Sequence, residues 1–323
     1  MAATEMSRRE VRKSLRTSFN QDLGWWRTRT RLRLEQASHI PALLTGGELK
    51  KPILIIGAPR SGTHMVFRVL GASNDLAHWR PSEAHEVWEA DHHPALRGWE
   101  SNVLEASDAA PETIRRIRRE FLLVAGTKKR LLDKNPRNVL RIPFIEAVLP
   151  DARYIFIKRD GRDTTNSLIN AWRGPRYRTY ALPEPHHIPG TDPKWWKFVL
   201  YPGWRDDTSG PVERVAAKQW LVPSEHLLAA EARIPSERWM DLRYEDFVAD
   251  PVGATERMAK WLEIDFSDDL RRAAEAARTT PVNTMTPPEA GKWRKENPEE
   301  IKSILPLIAP MQERMGYPTG EEG

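Results

Sequence analysis

A chain of 323 residues, 40% hydrophobic and without a cysteine, can form one large α/β domain or two smaller ones, and it excludes a disulfide framework, a thiolate metal site and a cysteine nucleophile. Its 50 Lys and Arg are offset by 45 Asp and Glu, so the net charge of +5 is spread over interspersed signs, a balance that suits an anionic small molecule at least as well as nucleic acid. The longest apolar run, Pro52 to Ala58, is too short to span a bilayer, and the charged stretch Met1 to Asn20 lacks the apolar centre of a signal peptide; both predict a cytoplasmic protein.

In chain order, residues 1–50 alternate arginines with Trp25, Trp26, Leu32 and Leu34, the pattern of an amphipathic helical extension. From Lys51 the pattern changes to a main domain over 51–318, followed by a tail at 319–323. Ile53 to Ile56 is a β-branched apolar run bounded by Pro52 and Gly57, and Met65 to Leu70 follows in helical spacing, which gives strand, glycine turn and helix. The same order recurs where the strand Arg153 to Lys158 runs through Arg159-Asp160-Gly161 into a helix near Arg162. A third strand is predicted at Arg238 to Leu242, with helices at Glu112 to Ala125, Arg137 to Val148 and Val212 to Ala232. Asp250-Pro251 reads as the N-cap and first position of another helix. Strands alternating with helices predict an α/β fold with a central parallel sheet covered on both faces, with ligands at the carboxyl ends of the strands. Residues 174–211 carry Tyr177, Tyr180, Trp195, Trp196, Phe198, Tyr201 and Trp204 without periodicity, and are expected to form a lid over an acceptor.

Gly57-Ala58-Pro59-Arg60-Ser61-Gly62 has the glycine spacing of a loop that turns backbone N–H groups and a helix N-terminus toward a phosphate. A nucleoside-triphosphate enzyme would continue with Lys and Ser/Thr; here Thr63 and His64 follow, which argues against the alternative of a magnesium-dependent phosphotransferase or kinase. At the second strand end, Arg159 offers a planar fork of donors, and Ser167, two helical turns on, can face the same ligand.

Pro59-Arg60-Ser61-Gly62-Thr63 after a buried strand, with Arg159 and Ser167 after a second, resembles the sulfotransferases that use 3′-phosphoadenosine-5′-phosphosulfate (PAPS), in a branch nearer the tyrosylprotein and carbohydrate enzymes than the cytosolic aryl ones. The resemblance implies a P-loop-like three-layer fold. It places Arg60, Ser61, Gly62, Thr63 and His64 at the 5′-phosphosulfate, and Arg159 and Ser167 at the 3′-phosphate. Tyr244, in Leu242-Arg243-Tyr244-Glu245-Asp246, is then the adenine contact, and Lys292, in Gly291-Lys292-Trp293-Arg294, a further 3′-phosphate cation. Arg60 and Arg159 with Ser167 are thus expected at opposite ends of one nucleotide.

For catalysis the resemblance implies Arg60 and also Lys134, in Leu132-Asp133-Lys134-Asn135-Pro136. The aryl branch's histidine base is absent here, its place taken by Asn135 and Pro136. Pro81-Ser82-Glu83-Ala84-His85-Glu86 falls where the carboxylate-dependent branches carry their base. Glu83 fits best, with Glu86 and His85 as competitors, and burial that raises its pKa would suit the role. The acceptor is a small molecule, carbohydrate or lipid bearing a hydroxyl or amine; no metal and no nucleic acid are expected, and a homodimer is compatible with the chain. The cluster His85, Glu86, Glu89, Asp91, His92 and His93 lacks zincin spacing and reads as a polar loop, and the arginines at 115, 116, 118 and 119 as a solvated helix face.

Overall fold

The computed structural model describes residues 36–44, 47–79, 83–127, 129–277 and 290–321. The greater part of the expected N-terminal extension, 1–35, lies outside them; what is described of it, a short helix α1 (Ile40–Leu44), follows His39, whose Nδ1 lies 2.9 Å from the carbonyl oxygen of Leu123.

The strand–turn–helix units assemble in chain order as β1 (Ile53–Ile56), α2 (Thr63–Leu70), β2 (Leu76–His78), α3 (His85–Trp88), α4 (Pro111–Ala125), β3 (Arg130–Lys134), α5 (Ile142–Val148), β4 (Arg153–Lys158) and α6 (Gly161–Arg173). A two-stranded hairpin, β5 (Tyr180–Ala181) and β6 (Trp195–Trp196), interrupts them before α7 (Val212–Glu231), β7 (Trp239–Arg243), α8 (Tyr244–Ala249), α9 (Pro251–Leu262), α10 (Asp268–Ala277), α11 (Trp293–Glu296) and α12 (Pro298–Arg314). The main sheet has the order β2-β3-β1-β4-β7, with every pairing parallel. Ile55 of β1 sits beside Lys134 on one side and Ile155 on the other, so the ends of β3 and β4 flank the turn that leaves β1.

Alternation along the strands builds two cores. Leu54, Ile56, Tyr154 and Phe156 face α4 to α7 and α12, while Ile53, Ile55, Ile155 and Ile157 face α2, α9 and α10. A strand buried on both faces explains why β1 and β4 read as continuous apolar runs. As expected, the Asp250 side chain accepts from the Gly253 N–H at 3.0 Å and Pro251 opens α9.

The structure adds two strands and divides one expected helix. The sequence reading lacked β2 and β3, because β2 is three residues long and β3 carries only two apolar residues between charged ends. The helix expected over Arg137 to Val148 is divided: Pro136–Leu140 forms a 3-10 turn and α5 begins at Ile142, since Pro143 lacks an N–H and fits only a first helical turn. The stretch 174–211 is packed onto the domain by its aromatics. Tyr180, Trp196, Phe198, Tyr201 and Trp204 are buried, Trp196 packing edge-on to Trp172 at 5.1 Å and against Trp204 at 4.8 Å. Burying an aromatic ring is worth about 1.5–3 kcal/mol, so these side chains hold the insertion to the domain. Lys197 assists by donating to the carbonyls of Ala171 and Trp172, both at 2.9 Å, at the end of α6. The last described residues are also held, Arg162 Nη1 donating to the Gly320 carbonyl at 2.6 Å.

Candidate active site

The chain leaves β1 through Gly57, where a Cβ would stand 2.6 Å from Ser61 Oγ and 3.0 Å from the Ile157 carbonyl; only glycine allows so close a return. Arg60 (φ 71°) and Gly62 (φ 97°) are left-handed, which curls the loop over the N-terminus of α2, with Gly62 as its N-cap. The Ser61 hydroxyl is buried and has no hydrogen-bond partner among the described residues, an orphan that a ligand oxygen in the loop would satisfy. Tyr244, the first residue of α8, packs against Gly62 closely enough that a Cβ there would fall 2.2 Å from the ring.

Arg60 turns its guanidinium across the loop, Nε donating to Ser167 Oγ at 3.2 Å and Nη1 to the Tyr177 hydroxyl at 2.8 Å. Arg159 comes from the end of β4, donates to the Arg60 carbonyl at 2.8 Å and lies 4.4 Å over the Tyr244 ring. Burial, reinforced by the charge of Arg159, pushes Arg60 below the usual range of a guanidinium. Two cations drawn together under partial burial favour an anion between or beside them. The structure thus brings Arg60, Ser61, Gly62, Thr63, Arg159, Ser167 and Tyr244 into one constellation, with Arg60 and Ser167 in direct contact instead of a nucleotide's length apart.

The remaining charges after β4 have structural partners. Asp160 caps α6 by accepting from the Arg162 N–H at 2.8 Å and pairs with the same arginine's side chain at 2.6 Å. Asp163 accepts from the Gly291 N–H at 2.7 Å, with the Trp293 N–H at 3.4 Å, which draws the turn carrying Lys292 onto α6. Lys292 itself is half-buried.

At the end of β3 the buried Lys134 forms an ion pair with Glu83 Oε1, while His85 Nε2 reaches Glu83 Oε2 at 2.7 Å. Burial would raise the Glu83 pKa, but the Lys134 charge and the bond from His85 outweigh it and hold the carboxyl well below its ordinary range. The upward tuning that would suit a general base is therefore reversed by its partners. Glu86 is half-buried on α3, one residue beyond His85. His64, in the first turn of α2, is pushed down to about 4 by burial and then by the charge of Lys134, so it is neutral at pH 7; Glu83 acts on it in the opposite sense. The strand's previous residue, Asp133, is pushed up to about 6 by burial, and accepts from Trp88 Nε1 at 2.9 Å and Asn138 Nδ2 at 3.0 Å. The bond from Trp88 docks α3 onto the strand end.

The histidine and carboxylate run that follows is an ionic network. Buried Glu89 pairs with Arg137 and, at 2.6 Å, with Arg141, and accepts from the Tyr180 hydroxyl at 3.2 Å. Among the described residues no group of histidines and carboxylates could hold a metal ion. Two contributors escaped the sequence reading. Tyr177 was one aromatic among seven, with no signal of its contact to Arg60, and Asp163 was one charge in a cluster, its clamp on Gly291 being a long-range contact.

The model of the sulfotransferase family matches residues 52–188 and 195–268, which takes in all three strand ends and Tyr244. The chain belongs to the sulfotransferase family. This sulfotransferase is 23% identical over 279 residues to the protein-tyrosine sulfotransferase of Drosophila melanogaster, covering 82% of this chain and 51% of that protein, so it spans about half the length of that relative. Against the protein-tyrosine sulfotransferase A of Caenorhabditis elegans it is 20% identical, with coverage of 82% and 67%. The sulfotransferase STF9 of Mycobacterium avium shares the fold, with a TM-score of 0.56 at 17% identity over 89% of this chain and 82% of that one. A mouse sulfotransferase complexed with PAP overlaps less, with a TM-score of 0.45 at 14% identity over 87% of this chain and 91% of its own. No helix among the described residues of this sulfotransferase is long and apolar enough to cross a membrane.

Proposed function

We propose that this sulfotransferase moves the sulfuryl group of PAPS onto a hydroxyl, or an amine, of a small-molecule, carbohydrate or lipid acceptor and releases 3′,5′-ADP. The observation that supports it is the convergence of Arg60, Arg159, Ser167 and Tyr244 at the ends of β1, β4 and β7, beside a Lys134–Glu83 pair at the end of β3. In this reading the loop N–H groups, Ser61, Thr63 and Arg60 hold the 5′-phosphosulfate, and His64 stands beside them as a neutral imidazole. Arg159, Ser167 and Lys292 hold the 3′-phosphate, and Tyr244 meets the adenine. Arg60 donates to Ser167 at 3.2 Å, so in this reading its side chain swings from Ser167 to the 5′-phosphosulfate as the nucleotide binds and leaves the serine hydroxyl to the 3′-phosphate.

Sulfuryl transfer, like phosphoryl transfer, passes in line between two oxygens, so positioning and charge stabilisation carry the catalysis. Lys134 and Arg60 stabilise charge growing on the bridging oxygen that leaves. Glu83 aligns the acceptor hydroxyl and takes its proton. A carboxylate held ionised is a weak base, but the acceptor proton becomes strongly acidic as the new S–O bond forms, so proton transfer follows bond formation. With the positive charge supplied by side chains, turnover is expected to survive a metal chelator.

The test is transfer from labelled PAPS to a panel of glycan, lipid, phenol and peptide acceptors by wild type, Glu83→Gln and Lys134→Ala. Each substitution is expected to lower turnover by roughly 10²–10⁴-fold, the usual contribution of a positioned acid–base group. Full activity in both variants would remove the catalytic assignment.

A further inference from the structure

Glu83 is itself held by His85, and His85 by Asn135, two side chains that have no part in the reaction just described. We propose that Asn135 and His85 are positioning residues: Asn135 dictates which nitrogen of His85 carries the proton, and His85 thereby fixes Glu83 against Lys134. The proposal rests on the reading of Glu83 as the carboxylate that faces the acceptor.

Asn135 is the N-cap of the 3-10 turn Pro136–Leu140, its Oδ1 accepting from the Arg137 N–H at 3.0 Å. With the amide oxygen committed there, the NH₂ group is the one that faces His85, with 3.0 Å between Nδ2 and Nδ1. An amide NH₂ only donates, so His85 Nδ1 must be the unprotonated acceptor and Nε2 must carry the hydrogen. That hydrogen points at Glu83 Oε2, 2.7 Å away, while Lys134 takes Oε1. Asn135 is 1% exposed and His85 5%, so water does not substitute for either partner. An imidazolium would direct a second N–H at the amide NH₂, a clash of donors that keeps the ring neutral. The charges around the ring come from Arg137 on the turn after β3 and from Glu83 and Glu89 on the segment that carries α3, while His93 on the same segment is pushed down to about 4 by burial and is neutral. Burial and Arg137 oppose protonation, and the two carboxylates favour it. Burial, the largest of these effects, wins and holds the ring below its ordinary range, and the Asn135 donor adds to it and selects the nitrogen that keeps the proton.

Asparagine and aspartate have the same shape, so Asn135→Asp keeps the cap and replaces the donor to His85 with an acceptor. Long-range ¹H–¹⁵N spectra across a pH series, with and without 3′,5′-ADP, read the result. Wild type is expected to show His85 as the neutral Nε2–H tautomer at pH 7, and Asn135→Asp as an imidazolium at the same pH, its titration midpoint raised by about two units or more, as for a histidine gaining a carboxylate neighbour. A second pair of variants separates positioning from bulk. His85→Gln can present an N–H to Glu83 and an oxygen to Asn135, and is expected to recover about tenfold or more of the kcat lost in His85→Ala, at unchanged KM for PAPS. An Nδ1–H tautomer in wild type, or equal kcat in His85→Gln and His85→Ala, would overturn the proposal. The wild-type spectrum decides the matter even where a variant does not fold. Failure of the donor reading looks different: wild type would bind no 3′,5′-ADP and transfer nothing, whatever the tautomer.

Discussion

Gly62→Ala tests whether the anion loop and Tyr244 are built as one unit. The substitution has two costs that the structure separates. At φ 97° an alanine enters the left-handed region, at about 1–2 kcal/mol. Its Cβ would also lie 2.2 and 2.4 Å from two ring carbons of Tyr244. Carbon atoms rest at about 3.5–4.0 Å, so the ring must move by more than an ångström, and such overpacking costs about 1–3 kcal/mol. The sum is about 2–5 kcal/mol. Gly98 supplies the control: its φ is 64°, but nothing lies within 4 Å of a Cβ there, so Gly98→Ala should incur only the backbone cost. Denaturant unfolding gives both stabilities, and calorimetric titration with 3′,5′-ADP gives the functional consequence. Gly62→Ala should be the less stable by about 1–3 kcal/mol and lose nucleotide affinity because Tyr244 is displaced, whereas Gly98→Ala should bind as wild type does. Equal destabilisation with normal binding in both would refute the coupling.

Three further outcomes are expected. Asp133 has its pKa raised from 3.8 to about 6, so the folded chain holds that proton more tightly than the unfolded one, and stability falls as pH rises through this window. Asp133→Asn removes the penalty and should be the more stable by up to about 3 kcal/mol at pH 8, an advantage that fades at pH 4; a difference independent of pH would contradict the reasoning. Glu83 has its pKa lowered, so its ionised form contributes stability that is lost only as pH falls through a folded value well below 4.5. Activity should therefore show no acid limb near 4.5 in wild type, and one should move up toward that range in Lys134→Ala, as read from kcat/KM against pH. Tyr177→Phe keeps the ring 4.9 Å from the Arg60 guanidinium but removes the hydroxyl that accepts from it. A hydrogen bond to a charged group is worth about 1.5–3 kcal/mol, so 3′,5′-ADP should bind at least about tenfold more weakly by calorimetry.

What could be read in advance follows from locality. β1 and β4 announce themselves because both faces are buried and their sequences are unbroken apolar runs. β3 does not: Asp133 and Lys134 are buried for the sake of the partners they meet, and a charge in a short strand carries no periodic signal. The packing of the insertion was illegible for a related reason. Its aromatics have no period because they pack singly against α6, against His93 and Trp99 and against each other, while Tyr177 turns to the loop. In the candidate site the glycine spacing and the interval from Arg159 to Ser167 were legible, since each lies within one turn and its helix. The contacts between segments were not. That Arg60 lies on Ser167, that Asp163 clamps Gly291, and that Asn135 faces His85 each depend on chain separations of 50 residues or more.

The central claim is that one doubly phosphorylated adenosine is held by Arg60, Arg159, Ser167 and Tyr244. It is tested most directly by calorimetric titration of the protein with 3′,5′-ADP in the presence of a chelator, beside 5′-AMP and beside Arg159→Ala. The account predicts saturable one-to-one binding of 3′,5′-ADP, weakened about tenfold or more either by removing the 3′-phosphate or by removing Arg159, as expected for a charge-assisted contact. Binding that ignores the 3′-phosphate, or no saturable heat at all, would contradict it.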